Sequence, residues 1–464
     1  MVKEKDIFIS VLVIFFLINL VFVNISISKE IDLKENTFEN SIANWTVMYY
    51  LCGDSHLNNE TGPLVENLSK IGSTDELNIV LLVDNNQIGD SKLYYINKTG
   101  VKVELNKEFG WPDEVDTSDP NTLKLFYNQM RDAYPAKYYG LITFAAGGAG
   151  WQAWTLADSH GSYKMLSLPE FADILKDITN DGENKIDVVF TPCIMSMIEV
   201  AYELEPYVNY LVTTEEHAPD GPKHYRRFYR ATWDLKNNTD MNPEEYANRA
   251  PIRHSAHNFS FFTNTQGRLA KLLNKLPYEQ LHTIKMHTTS FAVNLSLVKG
   301  LVESFNSFVS LLILNQNENE INKATQIARK NVREYGKGYA KFGFSVPIFK
   351  YIKYIIHPKL PLEINSYDCY IDLYHFIDIF SNNSENQGLD LYSEQIKHKI
   401  DELITAKEII PGDESHGLSI YFPDMKFLYN RYIFGSKDIP EPYENLRFSK
   451  ETMWDEFVKD YLGI

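Results

Sequence analysis

Cysteine is nearly absent: Cys52, Cys193 and Cys369 are the whole complement of a 464-residue chain. Three thiols cannot build a disulfide framework, and an odd number leaves at least one unpaired. Positive charge is also short, with 45 Lys and Arg against 62 Asp and Glu and a formal net charge of −17. Nucleic acid and anionic lipid both need a basic footprint, so neither is expected as a partner. No internal repeat is visible, and no Pro/Gly-rich linker divides the chain. Apolar side chains are ample at 44%, with aromatics at 13%, so a sizeable core is affordable. The length exceeds one ordinary core, and two portions packed together are expected.

The longest apolar run is at the start. IFISVLVIFFLINLVFVNIS (7–26) is broken by Asn19 and Asn24, with only small hydroxyls, Ser10 and Ser26, besides. Its length suits a signal-peptide core and a single anchor helix equally. Lys3 and Lys5 keep the start inside, so everything from about Glu30 faces outside. Residues 1–29 are therefore read as signal peptide or membrane anchor, and the chain as extracellular or at the cell surface. Nine Asn-x-Ser/Thr sequons, from Asn24 to Asn382, are in keeping with that.

Beyond the run, strand and helix signals alternate. NWTVMYYL (44–51) and LNIVLLV (77–83) read as strands, the second apolar throughout, as a strand buried on both faces would be. KLYYINKTGVKVEL alternates like a hairpin. YYGLITFAA, IDVVFTP and NYLVTTEE are further strands, separated by helices that start at Asp119-Pro120, at Ser167 with Glu170 in capping-box spacing, and at Cys193. This order implies an α/β fold over 40–250, with a mostly parallel sheet covered on both faces. From 251 to 464 the texture becomes α+β.

The sharpest chemical signal is FTPCIMSMIEV, where a thiol follows a buried strand and is expected to open a helix. Helix-start N–H groups favour the thiolate. The position serves a nucleophile and a buried structural thiol equally. A nucleophilic Cys needs a base, and its natural place is the end of the adjoining strand LITF. The turn there, AAGGAGW, holds no ionisable side chain.

Seven segments in order, among them WTVMYYLCGDSHL, YPAKYYGLITF, TPCIMSMIEVAYEL, LVTTEEHAPDG and HGLSIYFP, resemble the clostripain family of cysteine peptidases, which has a caspase-like fold. The resemblance implies peptide or protein as substrate or ligand, and places Cys193 on the nucleophile. The family's base stands in an Asn/Asp-His-Gly-x-Gly-Trp turn. Aligned from Trp151 its position is Gly147; aligned from Leu141 it is Ala146. The Asp two residues before the nucleophile, tied in the family to basic-residue preference, is Thr191 here. Glu215 and Glu216 match a family segment that would serve a basic side chain, or they are rim charges. His160 is the candidate replacement base, with His217 behind it; His416 precedes its strand and is expected at the opposite sheet end. No cofactor or metal site is required, although some members depend on calcium.

Three other motifs have bland readings. GAGWQA (148–153) formally fits a dinucleotide turn but is followed by no prompt helix. NDGENKID lacks alternating acidic ligands and reads as a helix-to-strand turn. KHYRRFYR (223–230) reads as a solvated face rather than a polyanion patch. The function expected is a catalytically impaired, exported member that binds peptide. The alternatives are an active endopeptidase using His160, and a cell-surface structural protein.

Overall fold

The computed structural model describes residues 42–55, 57–144, 147–156, 158–162, 166–216, 222–254, 258–260, 285–335, 369–430 and 442–464. The N-terminal apolar run and His217 lie outside the described residues. The chain divides into a unit of residues 1–42 and a unit Ala43–Ile464, and the second is described below.

β1 (Ala43–Cys52) and β2 (Leu77–Asp84) are buried almost end to end. The helix between them, α1 (Asn58–Ile71), returns the chain so that the two pair in parallel, with Tyr50 beside Leu82. β3 (Lys92–Ile96) and β4 (Lys102–Glu104) form the expected antiparallel hairpin. α2 (Pro120–Ala133) starts where Asp119 caps the Asn121 N–H, and leads into β5 (Ala136–Phe144), which pairs in parallel with β1. Two short strands follow, β6 (Gly147–Gly148) and β7 (Trp154–Thr155). α3 (Leu168–Ile178) opens on the full Ser167/Glu170 capping box, an arrangement that contributes about 1 kcal/mol. NDGENKID makes the turn into β8 (Ile186–Phe190), with Asn180, Asp181 and Gly182 all at positive φ. α4 (Ile198–Leu204) and β9 (Val208–Thr213) complete the parallel set.

The later chain adds α5 (Pro222–Asn237), α6 (Pro243–Arg253), β10 (Asn258–Ser260), β11 (Lys285–His287), β12 (Ser290–Asn294) and α7 (Val298–Leu314). It continues through α8 (Asn319–Asn331), β13 (Tyr370–Asp372), α9 (Leu373–Ser381), α10 (Gln387–Leu403), β14 (Ile404–Glu408), β15 (Ser419–Tyr421) and α11 (Trp454–Leu462). The main sheet runs β14-β12-β9-β8-β5-β1-β2-β3-β4. Its inner five strands are parallel, and both edges are antiparallel. β12 and β14 come from beyond residue 251 yet extend this sheet, so the two portions share it.

Successive side chains on β1 point to opposite faces. Val47 and Tyr49 pack with Leu64 of α1, Phe228 of α5 and Tyr246 of α6. Met48 and Tyr50 pack with Phe126 of α2, Phe171 of α3 and Ile198 of α4. The run Leu295–Leu314 is long and apolar enough to cross a membrane, but Leu301, Phe305, Phe308 and Leu312 are buried in the core. With both faces covered, the free places for chemistry are the strand ends.

Candidate active site

The thiol stands at the C-terminal edge of the sheet. The β8–β9 ladder runs through Thr191, whose N–H bonds Val212 O at 2.9 Å. Pro192 carries no N–H and ends it, and half-buried Cys193 follows. The helix expected to begin at Cys193 starts only at Ile198. Residues 194–196 place their hydrogen bonds elsewhere: Ile194 N–H donates to Thr214 Oγ1 at 3.1 Å, Ser196 N–H to Thr214 O at 3.1 Å, and Ser196 Oγ to Gly417 O at 2.6 Å. Ile194 has φ 64°, which is strained for a β-branched residue and is held by these bonds. The thiol therefore lacks a helix start beneath it.

A cation lies there instead. Arg227 of α5 is fully buried. Its Nη2 reaches Thr191 O at 3.5 Å and its Nη1 reaches Ser290 Oγ at 3.3 Å, while Nε has no partner among the described residues. Burial pushes the guanidinium down to about 10, and the charge of a Cys193 thiolate pulls it back up. It stays protonated at neutral pH, and a cation beside a thiol favours the thiolate. KHYRRFYR is thus only partly solvated. Arg227 stands four residues before Ala231 and eight before Leu235, both buried, so helical periodicity already placed it on the inner face.

The empty turn sits directly against this thiol's backbone. A Cβ added at Gly148 would fall 2.2 Å from Cys193 O and 2.6 Å from Met195 Sδ. At Gly150, with φ 59°, it would fall 2.5 Å from Met197 Sδ. Both positions need glycine. The turn is a hairpin rather than a helix start: β6 and β7 pair, and Ala149 N–H bonds Ala153 O at 2.9 Å. The next helix is α3, so the pyrophosphate-binding geometry of a dinucleotide turn is missing here. Trp151 packs on Tyr421 and Tyr443 at 5.1 and 5.0 Å, Trp154 stacks on Phe171 at 3.8 Å, and Tyr370 donates to Ala149 O at 2.6 Å.

His160 is drawn to a different strand. Its Nδ1 lies 2.7 Å from Asp54 Oδ2, and its N–H donates to the same oxygen at 2.8 Å. Among the described residues it makes no hydrogen bond to Cys193. Asp54 follows β1, and β5 lies between β1 and β8, a separation of about 10 Å for two strand spacings.

His416 is at the same sheet edge as the thiol, not the opposite one. Its neighbour Gly417 donates N–H to Glu215 Oε2 at 3.0 Å, just beyond β9, and accepts from Ser196 Oγ. The expectation failed because β15 pairs with β13 in a separate two-stranded sheet, so its direction does not follow the main sheet. His416 Nδ1 lies 3.0 Å from Asp372 Oδ1, and its ring stacks on Tyr374. Burial lowers the imidazole's pKa, but the Asp372 bond and charge outweigh it and leave the group raised.

The three residues matched to substrate binding are all buried. Thr191 Oγ1 donates to Pro192 O at 2.8 Å and lies in hydrogen-bond contact with Thr213 Oγ1 at 3.0 Å. Burial, then the charge of Asp372, holds the Glu215 carboxyl well above the usual range. Glu216 is paired with Arg333 Nη2 at 3.5 Å.

The Clostripain family model matches residues 49–461, which takes in the thiol, the bare turn and Arg227. The chain belongs to the clostripain family. It is 28% identical over 224 residues to clostripain of Hathewaya histolytica, covering 39% of this chain and 40% of that protein. The match thus spans well under two thirds of that relative. A secreted C11 cysteine protease from Bacteroides thetaiotaomicron, solved with an irreversible peptide inhibitor, superposes with a TM-score of 0.56 at 14% identity, covering 89% of this chain and 100% of that one. An inactive zymogen C11 protease from Parabacteroides distasonis gives 0.52 at 14% identity, covering 89% and 99%. At such identity these two show the fold: the α/β arrangement expected from the order of strands and helices, in the caspase-like form that the resemblance implied. In this clostripain-family chain the edge can present a thiol over a buried guanidinium. The imidazole available nearest in sequence to the turn is bonded to an aspartate.

Proposed function

We propose that this member of the clostripain family is an exported peptide- or protein-binding protein that keeps the family's thiol at Cys193 and has lost its general base. The observation that carries the reading is the contact of Gly148 with the Cys193 carbonyl. It supports the placement of Gly147, one residue earlier, where a base would serve the sulfur, and glycine has no imidazole. His160 is bonded to Asp54, which favours an idle role for it here. Loss of a positioned base removes about 10²–10⁴-fold in rate, and Arg227 limits the loss by supporting the thiolate. Thr191 in place of the family's Asp argues for weak preference for Arg or Lys. Export is supported by the apolar run at 7–26 and by a structural neighbour described as secreted.

The test is restoration. Gly147→His and, separately, Ala146→His are compared with the native chain on peptides ended by Arg, Lys and neutral residues. Cleavage appearing only in a restored variant, and abolished by adding Cys193→Ala, is the expected result. Cys193-dependent cleavage by the native chain at a rate the variants do not exceed overturns the reading.

A further inference from the structure

Arg227 is a buried cation that the fold does not pair with an acid. It is fully buried, yet its partners are the Thr191 carbonyl oxygen at 3.5 Å and the Ser290 hydroxyl at 3.3 Å. Its Nε has no partner among the described residues. No described carboxylate forms an ion pair with it, and the charge that pulls on it is that of a Cys193 thiolate. The acids at this end of the sheet are engaged elsewhere. Glu216 and Asp413 both lie on Arg333, at 3.5 and 3.3 Å. Asp372 faces His416 at 3.0 Å. Glu215, held toward its neutral form by burial, accepts the Gly417 N–H at 3.0 Å. The remaining acids gather away from the thiol, beyond β1 and β2. There Asp54, Asp84 and Asp158 bring carboxylate oxygens within 4.8 Å of one another, and none is paired with a described Lys or Arg.

An unpaired buried charge destabilises the fold, and an anion brought near it relieves that cost. The thiolate is one such anion, but its charge disappears once the sulfur is protonated or bonded to carbon. In a poorly screened interior the attraction acts over several ångströms, so the guanidinium need not touch the anion. Half-buried Cys193 is where a ligand meets this field. A ligand lysine or arginine finds no ionised, unpaired carboxylate among those described around the thiol, whereas an aspartate or glutamate balances the charge of Arg227. We propose that the peptide or protein bound at Cys193 presents an acidic side chain there, and that Arg227 selects it. Arg227 determines specificity through its charge rather than by contact. The proposal rests on the reading of the site as a peptide-binding one, and not on the loss of the base.

Three peptidyl chloromethyl ketones, identical except for aspartate, asparagine or lysine at the residue carrying the ketone, are compared on the full native chain. The sulfur displaces chloride, which leaves with the bonding pair, and mass spectrometry locates the adduct at Cys193. Each second-order rate is divided by that of the same probe with mercaptoethanol, which removes intrinsic reactivity. The aspartyl probe should lead the asparaginyl one by about tenfold, an ordinary effect of one complementary charge, with the lysyl probe slowest. Arg227→Gln slows all three through the thiolate, so the ratio is the readout: the aspartyl lead should vanish, and Arg227→Lys should keep it. If Arg227→Gln does not fold, Thr191→Asp sets a carboxylate beside the guanidinium and should abolish the lead in its place. Equal aspartyl and asparaginyl rates on the native chain overturn the proposal, as does a lysyl lead, or an aspartyl lead that survives in Arg227→Gln. If all three react no faster than a blocked glycine chloromethyl ketone, the peptide-binding reading fails, and this proposal with it.

Discussion

Two polar sites share the C-terminal edge of one sheet and differ in what they lack. At β8 a thiol has a guanidinium buried beside it and no imidazole in hydrogen-bond contact among the described residues. At β1 and β2 several carboxylates have an imidazole beside them and no described Lys or Arg. The first gap leaves the fold intact: the hairpin is held by Trp151, Trp154 and Tyr370, and none of these contacts needs an imidazole. The second gap costs the fold directly, because Asp54 Oδ1 and Asp84 Oδ2 are buried with no hydrogen-bond partner among the described residues. Scaffold and chemistry are thus separable at the thiol and inseparable at the acidic cluster.

The strongest way to break this contrast is at Gly148. If the hairpin truly rests on the Cys193 backbone, Gly148→Ala drives a methyl into a carbonyl oxygen and a Met side chain that have little room to yield. A loss of about 3 kcal/mol is expected in urea denaturation, against little change for Gly62→Ala on α1, where an added Cβ meets nothing within 4 Å. Equal, small effects at both positions would separate the turn from the thiol and remove the main support for the lost-base reading.

The next effect is on reactivity. Cys52 and Cys369 are buried at 0% and 1% exposure, so iodoacetamide at neutral pH should reach Cys193 first. Arg227→Gln should slow that alkylation about tenfold, a usual effect of one neighbouring charge on thiolate fraction. An unchanged rate, followed by mass spectrometry at each cysteine, would mean the guanidinium serves only Thr191 and Ser290.

How much of this could be read beforehand depends on whether local rules decide the matter. β1, β2, the Ser167 cap and the helix at Pro120 follow from apolar runs and capping residues, which act within a few residues of themselves. The glycine hairpin was legible for the same reason, since AAGGAGW is bounded by an apolar strand and rich in turn residues. The helix start at Ile198 was not, because Ile194 and Ser196 are bonded to Thr214 and Gly417, and nothing within the segment announces partners twenty and two hundred residues away. Arg227 was legible in principle from its spacing to Ala231 and Leu235, but its charge suggested solvent. The acidic cluster gathers Asp54 from beyond β1, Asp84 from the end of β2 and Asp158 from the loop after β7, and parallel pairing is what brings the β1 and β2 ends together.

The smallest expected effect concerns which imidazole belongs to the thiol's surroundings. His416 lies one residue from Gly417, which touches the Cys193–Ser196 turn, and its charge is matched by Asp372 rather than by sulfur. Its folded pKa is raised, so its contribution to stability is fully present below the unfolded value of about 6.5. That contribution is lost as pH rises through the folded value. Native chain and His416→Gln should therefore differ most in urea midpoint near pH 5.5 and converge by pH 8.5, while the alkylation rate of Cys193 stays the same in both. A midpoint difference independent of pH would show that the ring is not charged against Asp372. A slowed alkylation in the variant would make His416, and not His160, the imidazole that serves the sulfur, and the contrast between the two sites would then rest on the acidic cluster alone.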